Sequence, residues 1–143
     1  MGGYLGSHLN QVDEKGRVTL PAPFRRETET ASFVLIQVHA EALTLYPSDT
    51  WEGVDRRMRE HLRRAPDKRH AFLALTANAQ EVSPDKQGRI LLPERLRTRA
   101  DIQGEALLIG ALDKIEIWSP ERFENAVGDG PGDLGALLGS LFA

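Results

Sequence analysis

Cysteine is absent from the 143 residues, which excludes disulfides and cysteine-bound zinc. No stretch approaches the roughly 18 consecutive apolar residues of a membrane span, and no basic region followed by an apolar run opens the chain. A cytoplasmic, soluble protein is therefore expected, with no membrane partner. The four histidines, His8, His39, His61 and His70, lack metal-ligand spacing, and neither a phosphate-binding glycine loop nor a nucleophile elbow is present. No enzyme activity, metal, cofactor or small-molecule substrate is expected. A large excess of either charge is missing too, the net figure being −3.

That net figure hides an uneven distribution. From residue 113 onward two cations face six anions, whereas residues 85–99 carry five cations against two anions. Local potential decides what a surface attracts, so a basic patch survives inside an acidic chain. The competing reading is a mixed, solvated surface.

What the chain does contain is a repeat. Asp13-Glu-Lys-Gly-Arg-Val-Thr-Leu-Pro-Ala-Pro-Phe-Arg25 returns 72 residues later as Asp85-Lys-Gln-Gly-Arg-Ile-Leu-Leu-Pro-Glu-Arg-Leu-Arg97, identical at six of thirteen positions. The same offset sets Leu43 against Ile115, Leu45 against Ile117, Tyr46 against Trp118 and Trp51 against Phe123. The chain is a tandem duplication. Two units are too few for a solenoid, and a half of about 70 residues buries little apolar surface alone. Interlocked halves with an internal pseudo-twofold follow. The expected division is residues 4–65 for the first repeat and its helix, 66–75 for a connecting helix, 76–127 for the second repeat, and 128–143 for a glycine-rich linker with an apolar tail.

Within each repeat the punctuation is plain. Asp13 and Gly16, like Asp85 and Gly88, take the first and fourth positions of a type I turn whose last residue tolerates positive φ. Each turn should join antiparallel strands, residues 8–12 to 17–20 in the first copy, with 89–92 as the second copy's exit strand. Pro21 and Pro93 then start short helices. Residues 33–38 and 43–46, echoed by 106–109 and 115–118, read as hairpins. The long helix after residue 48 should be capped by Ser48 or Asp49, with Glu52 completing a capping box. Its stripe is Trp51, Val54, Met58 and Leu62, and Pro66 ends it. Residues 67–75 read as a further helix with Ala71, Phe72 and Leu75 inward. In the second copy Ser119 caps, Pro120 starts the helix, Trp118 packs on Phe123, and Gly128 stops the run. The tail is a breaker-rich linker and an apolar end that docks on its own core or a neighbouring subunit, or is disordered.

Candidate chemistry falls on the duplicated turns. A tight turn holds Lys15 and Arg17, and Lys86 and Arg89, with little freedom left to lose. Arginine offers a bidentate fork to phosphate or to guanine O6 and N7, and lysine a point charge. The Asp that opens each turn binds backbone N–H groups or holds the guanidinium. Asp13, Gly16, Asp85 and Gly88 are what any such turn requires, and Leu20, Leu92, Pro21 and Pro93 are explained by core and helix start. Turn chemistry does not ask for Arg17 and Arg89, nor for Arg25 and Arg97, and these are the candidate contacts to nucleic acid. The cations Arg56, Arg57, Arg59, Arg63 and Arg64 lie mostly off the helix stripe, on a solvated face or a contact for an acidic partner.

Together the two turn motifs, the Leu-Tyr-Pro-x-x-x-Trp that closes the first repeat and Ile-Glu-Ile-Trp in the second resemble the MraZ family of bacterial transcriptional regulators, over about residues 4 to 124. The resemblance implies a mainly β fold with short helices (α+β), a SpoVT–AbrB barrel of swapped hairpins with both halves in one chain. It also implies ring-shaped homo-oligomers, association with the nucleoid, and binding of double-stranded DNA at the promoter of a division and cell-wall gene cluster. The family's Asp-x-x-x-Arg element falls on Asp13 with Arg17 and on Asp85 with Arg89. Lys15 matches the usual basic residue, whereas Gln87 is neutral, so the two copies should meet DNA unequally. An AbrB-like antitoxin would carry one motif per chain, which the duplication argues against. A purely structural homo-oligomer with its basic turns at subunit interfaces is the remaining alternative.

Overall fold

Strand pairing ties the two repeats together. The computed structural model describes residues 3–27 and 32–143. The first repeat contributes β1 (Ser7–Gln11), β2 (Arg17–Thr19), α1 (Ala22–Glu27), β3 (Phe33–His39), β4 (Ala42–Pro47) and α2 (Ser48–Arg64). A 3-10 turn at Pro66–Lys68 and α3 (Arg69–Ala77) lead into the second. That repeat contains β5 (Gln80–Val82), β6 (Arg89–Leu91), α4 (Glu94–Arg99), β7 (Glu105–Gly110), β8 (Ile115–Trp118) and α5 (Pro120–Ala126), and α6 (Leu134–Phe142) closes the chain. The architecture is mainly antiparallel sheet with short helices, as the alternating apolar runs and regular breakers imply.

The hairpins β3–β4 and β7–β8 meet through β4 and β8, with Leu43 opposite Ile117 and Leu45 opposite Ile115. The six-stranded order, β1-β7-β8-β4-β3-β5, reads the same from either edge once counterpart strands are exchanged. The strands flanking each turn depart from the expected simple hairpin. β1 pairs with β7, β5 with β3, and β2 with β6 in a separate two-stranded ribbon. Apart from the turn's own bonds, a bridge between Val12 and Val18 joins the first pair. The reason is burial: Val18 and Ile90, opposite one another, are 1% and 0% exposed, so pairing each short strand with its counterpart buries both. The copies are not identical in register. Leu35 faces Gln80 while its counterpart Leu107 faces Leu9, a displacement of one residue.

The core lies between this sheet and the ribbon with its exit helices. Leu20 and Phe24 in one repeat, Leu92 and Leu96 in the other, are buried as their four-residue spacing requires. Each such side chain stabilises the fold by about 1.5–3 kcal/mol relative to exposure. Tyr4 packs edge-on against Phe24 with ring centroids 5.6 Å apart.

Helix boundaries correct several expectations. Pro93 occupies the N-cap position of α4, and Pro21 likewise lies just before α1. The capping box at α2 does not form. Pro47 is the N-cap residue, Ser48 Oγ turns instead to Ser32 at 2.6 Å, and Asp49 bonds Thr50 N. Anchoring the helix start to the preceding segment displaces the local cap. In α3, Phe72 and Leu75 are half-buried but Ala71 is exposed, because no second layer covers that helix. At α5, Ser119 Oγ accepts Arg122 N–H, Pro120 lies in the first turn, and Trp118 meets Phe123 at 5.4 Å. Gly128, at φ +55°, takes the left-handed position that ends this helix. The tail beyond it forms a helix, α6, none of whose residues is buried.

The turn glycines are held by two independent constraints. Gly16 and Gly88 have φ of +87° and +79°, and a Cβ at Gly16 would lie 2.8 Å from the Leu92 carbonyl oxygen. At Gly88 the Cβ would meet Arg25, 2.5 Å from its Nη1, a side chain able to swing aside. Gly16→Ala and Gly88→Ala should each destabilise the fold by about 1–3 kcal/mol, Gly16→Ala more, as read from urea unfolding midpoints.

Candidate nucleic-acid interface

Each turn is built around one carboxylate. Gly16 N–H donates to the Asp13 carbonyl at 2.9 Å, closing the four-residue loop. The Asp13 side chain then collects three donors: Oδ1 accepts from Lys15 N at 3.0 Å and Arg17 N at 2.8 Å, and Oδ2 from Arg17 Nε at 2.7 Å. Asp85 repeats the pattern with Gln87 N, Arg89 N and Arg89 Nε, each at 2.9 Å. The aspartate therefore binds the backbone and holds the arginine at the same time. Nε is the tethered atom, the terminal Nη groups of Arg17 and Arg89 make no hydrogen bond among the described residues, and the two side chains are 33% and 28% exposed. A guanidinium immobilised in this way loses little entropy on contacting a ligand.

The turns are also fastened to one another. Leu92 N donates to Gly16 O and Leu20 N to Gly88 O, both at 2.8 Å, so each turn is bonded to the exit strand of the other repeat. Arg97 Nε donates to Leu92 O at 2.8 Å, and its guanidinium lies over Gly16. Arg25 Nη1 does the same to Leu20 O over Gly88. Arg25 and Arg97 thus clamp the neighbouring turn rather than standing apart from it.

Alternation along the ribbon decides what faces out. Val18 and Ile90 point to the core, while Arg17 lies opposite Leu91 and Thr19 opposite Arg89. Arg17 and Arg89 are thus separated by about 7 Å along the ribbon and about 5 Å across it. Thr19 is exposed and Leu91 is 46% exposed. Neither is among the sequence-derived candidates. The signal for them is the two-residue period itself, which places Thr19 and Leu91 on the same outward row as the arginines. Lys15 and Lys86 are exposed on the turns at opposite ends of the ribbon, and Glu14 stands where the second copy has Lys86. The first turn is consequently neutral from residue 13 to 17 and the second carries one net positive charge from 85 to 89.

The donors leave a mark on both aspartates. The backbone N–H of Arg17 lowers the Asp13 carboxyl below its ordinary value of 3.8, desolvation opposes this, and the Arg17 side chain and Lys15 N–H add to the lowering. Asp85 is lowered in the same way by Arg89 and Gln87. With native values below the unfolded ones, both groups favour the folded state above about pH 4, and this contribution disappears as pH falls through the native values. Carboxyl NMR titrations should give midpoints below 3.8 for Asp13 and Asp85. The Asp13→Asn/Asp85→Asn variant should lose less stability on acidification than the native chain.

Comparison with known proteins places the chain in a family. The family model for the MraZ protein, described also as antitoxin-like, matches residues 4–72 and 75–128. A protein of Thermomicrobium roseum named "Transcriptional regulator MraZ" is 38% identical over 120 residues, 84% of either chain. One of Caldicellulosiruptor saccharolyticus with the same name is 36% identical over 125 residues, 87% of either chain. One of Bacteroides thetaiotaomicron, again so named, is 35% identical over 140 residues, 94% of this chain and 89% of its own. Both turn motifs, the ribbon and the paired hairpins fall inside the matched residues, and the chain belongs to the MraZ family.

Proposed function

We propose that this chain is a DNA-binding regulator of transcription that reads its operator through the β2–β6 ribbon and its two turns. The observation that carries the reading is the pair of guanidinium forks, each tethered at Nε by an aspartate and left open at Nη. A two-stranded ribbon fits the major groove, where a bidentate arginine recognises guanine O6 and N7. In this arrangement Arg17 and Arg89 provide base or phosphate contacts, and Thr19 and Leu91 complete the outward row. Lys15 and Lys86 supply phosphate contacts from the turns. Arg25 and Arg97 support them by fixing the turns and adding positive charge. The extra positive charge of the second turn makes its contact the stronger of the two.

The symmetry of the chain suggests the symmetry of its site. An isologous dimer reads a palindrome, but here a pseudo-twofold is contained within one chain. Subunits joined head to tail in a ring present the same patch in the same sense. The operator would then consist of direct repeats about 10 base pairs apart, in the promoter of the division and cell-wall gene cluster, with the protein working in the cytoplasm on the nucleoid.

Salt-dependent binding tests this reading. In the Arg17→Ala/Arg89→Ala variant the slope of log K against log salt should flatten by about 0.9 for each phosphate that is no longer neutralised, with the circular dichroism of the folded chain retained. Unchanged affinity in that variant would favour a structural oligomer instead. On synthetic operators, affinity should depend on the spacing of direct repeats. A requirement for an inverted repeat, with indifference to direct spacing, would refute the ring geometry.

A further inference from the structure

Outside the ribbon, apolar side chains of the described residues stand uncovered on two helical surfaces. The first is α6. Leu134, Leu137, Leu138, Leu141 and Phe142 fall at the i, i+3, i+4, i+7 and i+8 positions of one helical face, with Gly135, Ala136, Gly139 and Ser140 between them. Residues 135–143 are all exposed, Leu141 at 64% and Phe142 at 79%. A helix this short is marginal in water by itself, and this one contains two glycines, each costing about 1 kcal/mol against alanine. It requires a surface to lie on. The residues matched by the family model stop at 128, before this segment begins.

The second surface is a groove of about 400 Å³ between α2 and α3, floored by Met58, Leu62, Phe72 and Leu73 and rimmed by Arg69 and the Arg59–Asp55 ion pair. No residue of either helix is fully buried, and Leu73 is 48% exposed. The surroundings are strongly basic: residues 56–69 carry seven cations against two anions. Glu60 pairs with Arg63 and Arg64, and Asp55 with Arg59, while Arg56, Arg57 and Arg69 have no ion pair among the described residues. The approach to α6 has the opposite sign, with Asp129 and Asp133 and no cation from residue 128 onward.

We propose that α6 of one chain seats its leucine stripe in the α2–α3 groove of a second copy. The match is apolar stripe to apolar floor and acidic approach to basic rim, the mode in which an amphipathic helix enters a groove through anchors at i, i+3, i+4 and i+7. The occupant comes from another copy because within one chain the helix and the groove both stand open at once. At nine residues, α6 is about 13 Å long, a short contact whose strength would come from several copies engaging together. This contact does not depend on the DNA reading.

The absence of cysteine allows a direct test. A size-tagged Leu73→Cys chain is mixed with an untagged Leu141→Cys chain and oxidised, and a hetero-pair is expected on a non-reducing gel and abolished by reduction. A Gln103→Cys chain replacing the Leu73→Cys chain should pair at least tenfold less, and Leu138→Asp added to the Leu141→Cys chain should reduce pairing to that background. Three outcomes would overturn the proposal: no hetero-pair, equal pairing through Gln103→Cys, or closure within one chain of the Leu73→Cys/Leu141→Cys double variant that persists on dilution. Circular dichroism of each variant confirms that the fold is intact.

Discussion

The constraint on which the rest depends is the reciprocal fastening of the two turns. Gly16 O accepts Leu92 N–H and Gly88 O accepts Leu20 N–H, so neither turn can form fully without the opposite repeat. Arg97 and Arg25 seal the same crossing by lying over the two glycines while bonding the leucine carbonyls. A Cβ at Gly16 would press on the Leu92 backbone of the other repeat, and one at Gly88 would displace the Arg25 clamp. The duplicated motif is therefore one structure made from two sequences, and the exchange of β1 and β5 across the six-stranded sheet extends the same dependence outward. This answers the size problem of a half-length unit: the apolar face of each repeat is buried by its counterpart.

Rigidity at the crossing reaches the surface through the aspartates. Each carboxylate accepts two backbone N–H groups and an arginine Nε, so the position of the guanidinium follows from the turn and the turn from the opposite repeat. The cations in the motif thereby separate into two kinds. Arg17 and Arg89 spend one side-chain donor on their own turn and leave the Nη groups without a hydrogen bond among the described residues, whereas Arg25 and Arg97 reach back to backbone carbonyls. The ribbon's outward row is short, two residues per strand, which concentrates the candidate contacts on Arg17, Thr19, Arg89 and Leu91.

Much of this is legible in the sequence because local chemistry determines it. Asp and Gly at fixed positions announce the turns, the four-residue spacing of Leu20 with Phe24 announces the buried helix face, and Ser119 with Pro120 announces a helix start. Partnership is not local. Nothing within residues 8–20 says that β1 leaves its neighbour for β7, because that choice is set by which apolar faces can be buried together. The capping box at Asp49 and Glu52 fails for a similar reason, since Ser48 finds a partner sixteen residues away at Ser32. Charge alone does not point to Thr19 and Leu91, whose exposure follows from strand alternation. The α6 stripe begins at Leu134, inside the stretch that reads as a breaker-rich linker, so the apolar end shows in the sequence without its helical period.

The central claim is that the aspartate-held arginine forks, and not positive charge alone, give this protein its sequence recognition. Replacing both by lysine, in the Arg17→Lys/Arg89→Lys variant, keeps the charge and removes the fork. Footprinting on the DNA upstream of this protein's own gene should show the native chain protecting direct repeats about 10 base pairs apart. The lysine variant should still bind DNA with a comparable salt slope but leave only diffuse protection. The same repeats protected at the same concentration by the lysine variant would contradict the account.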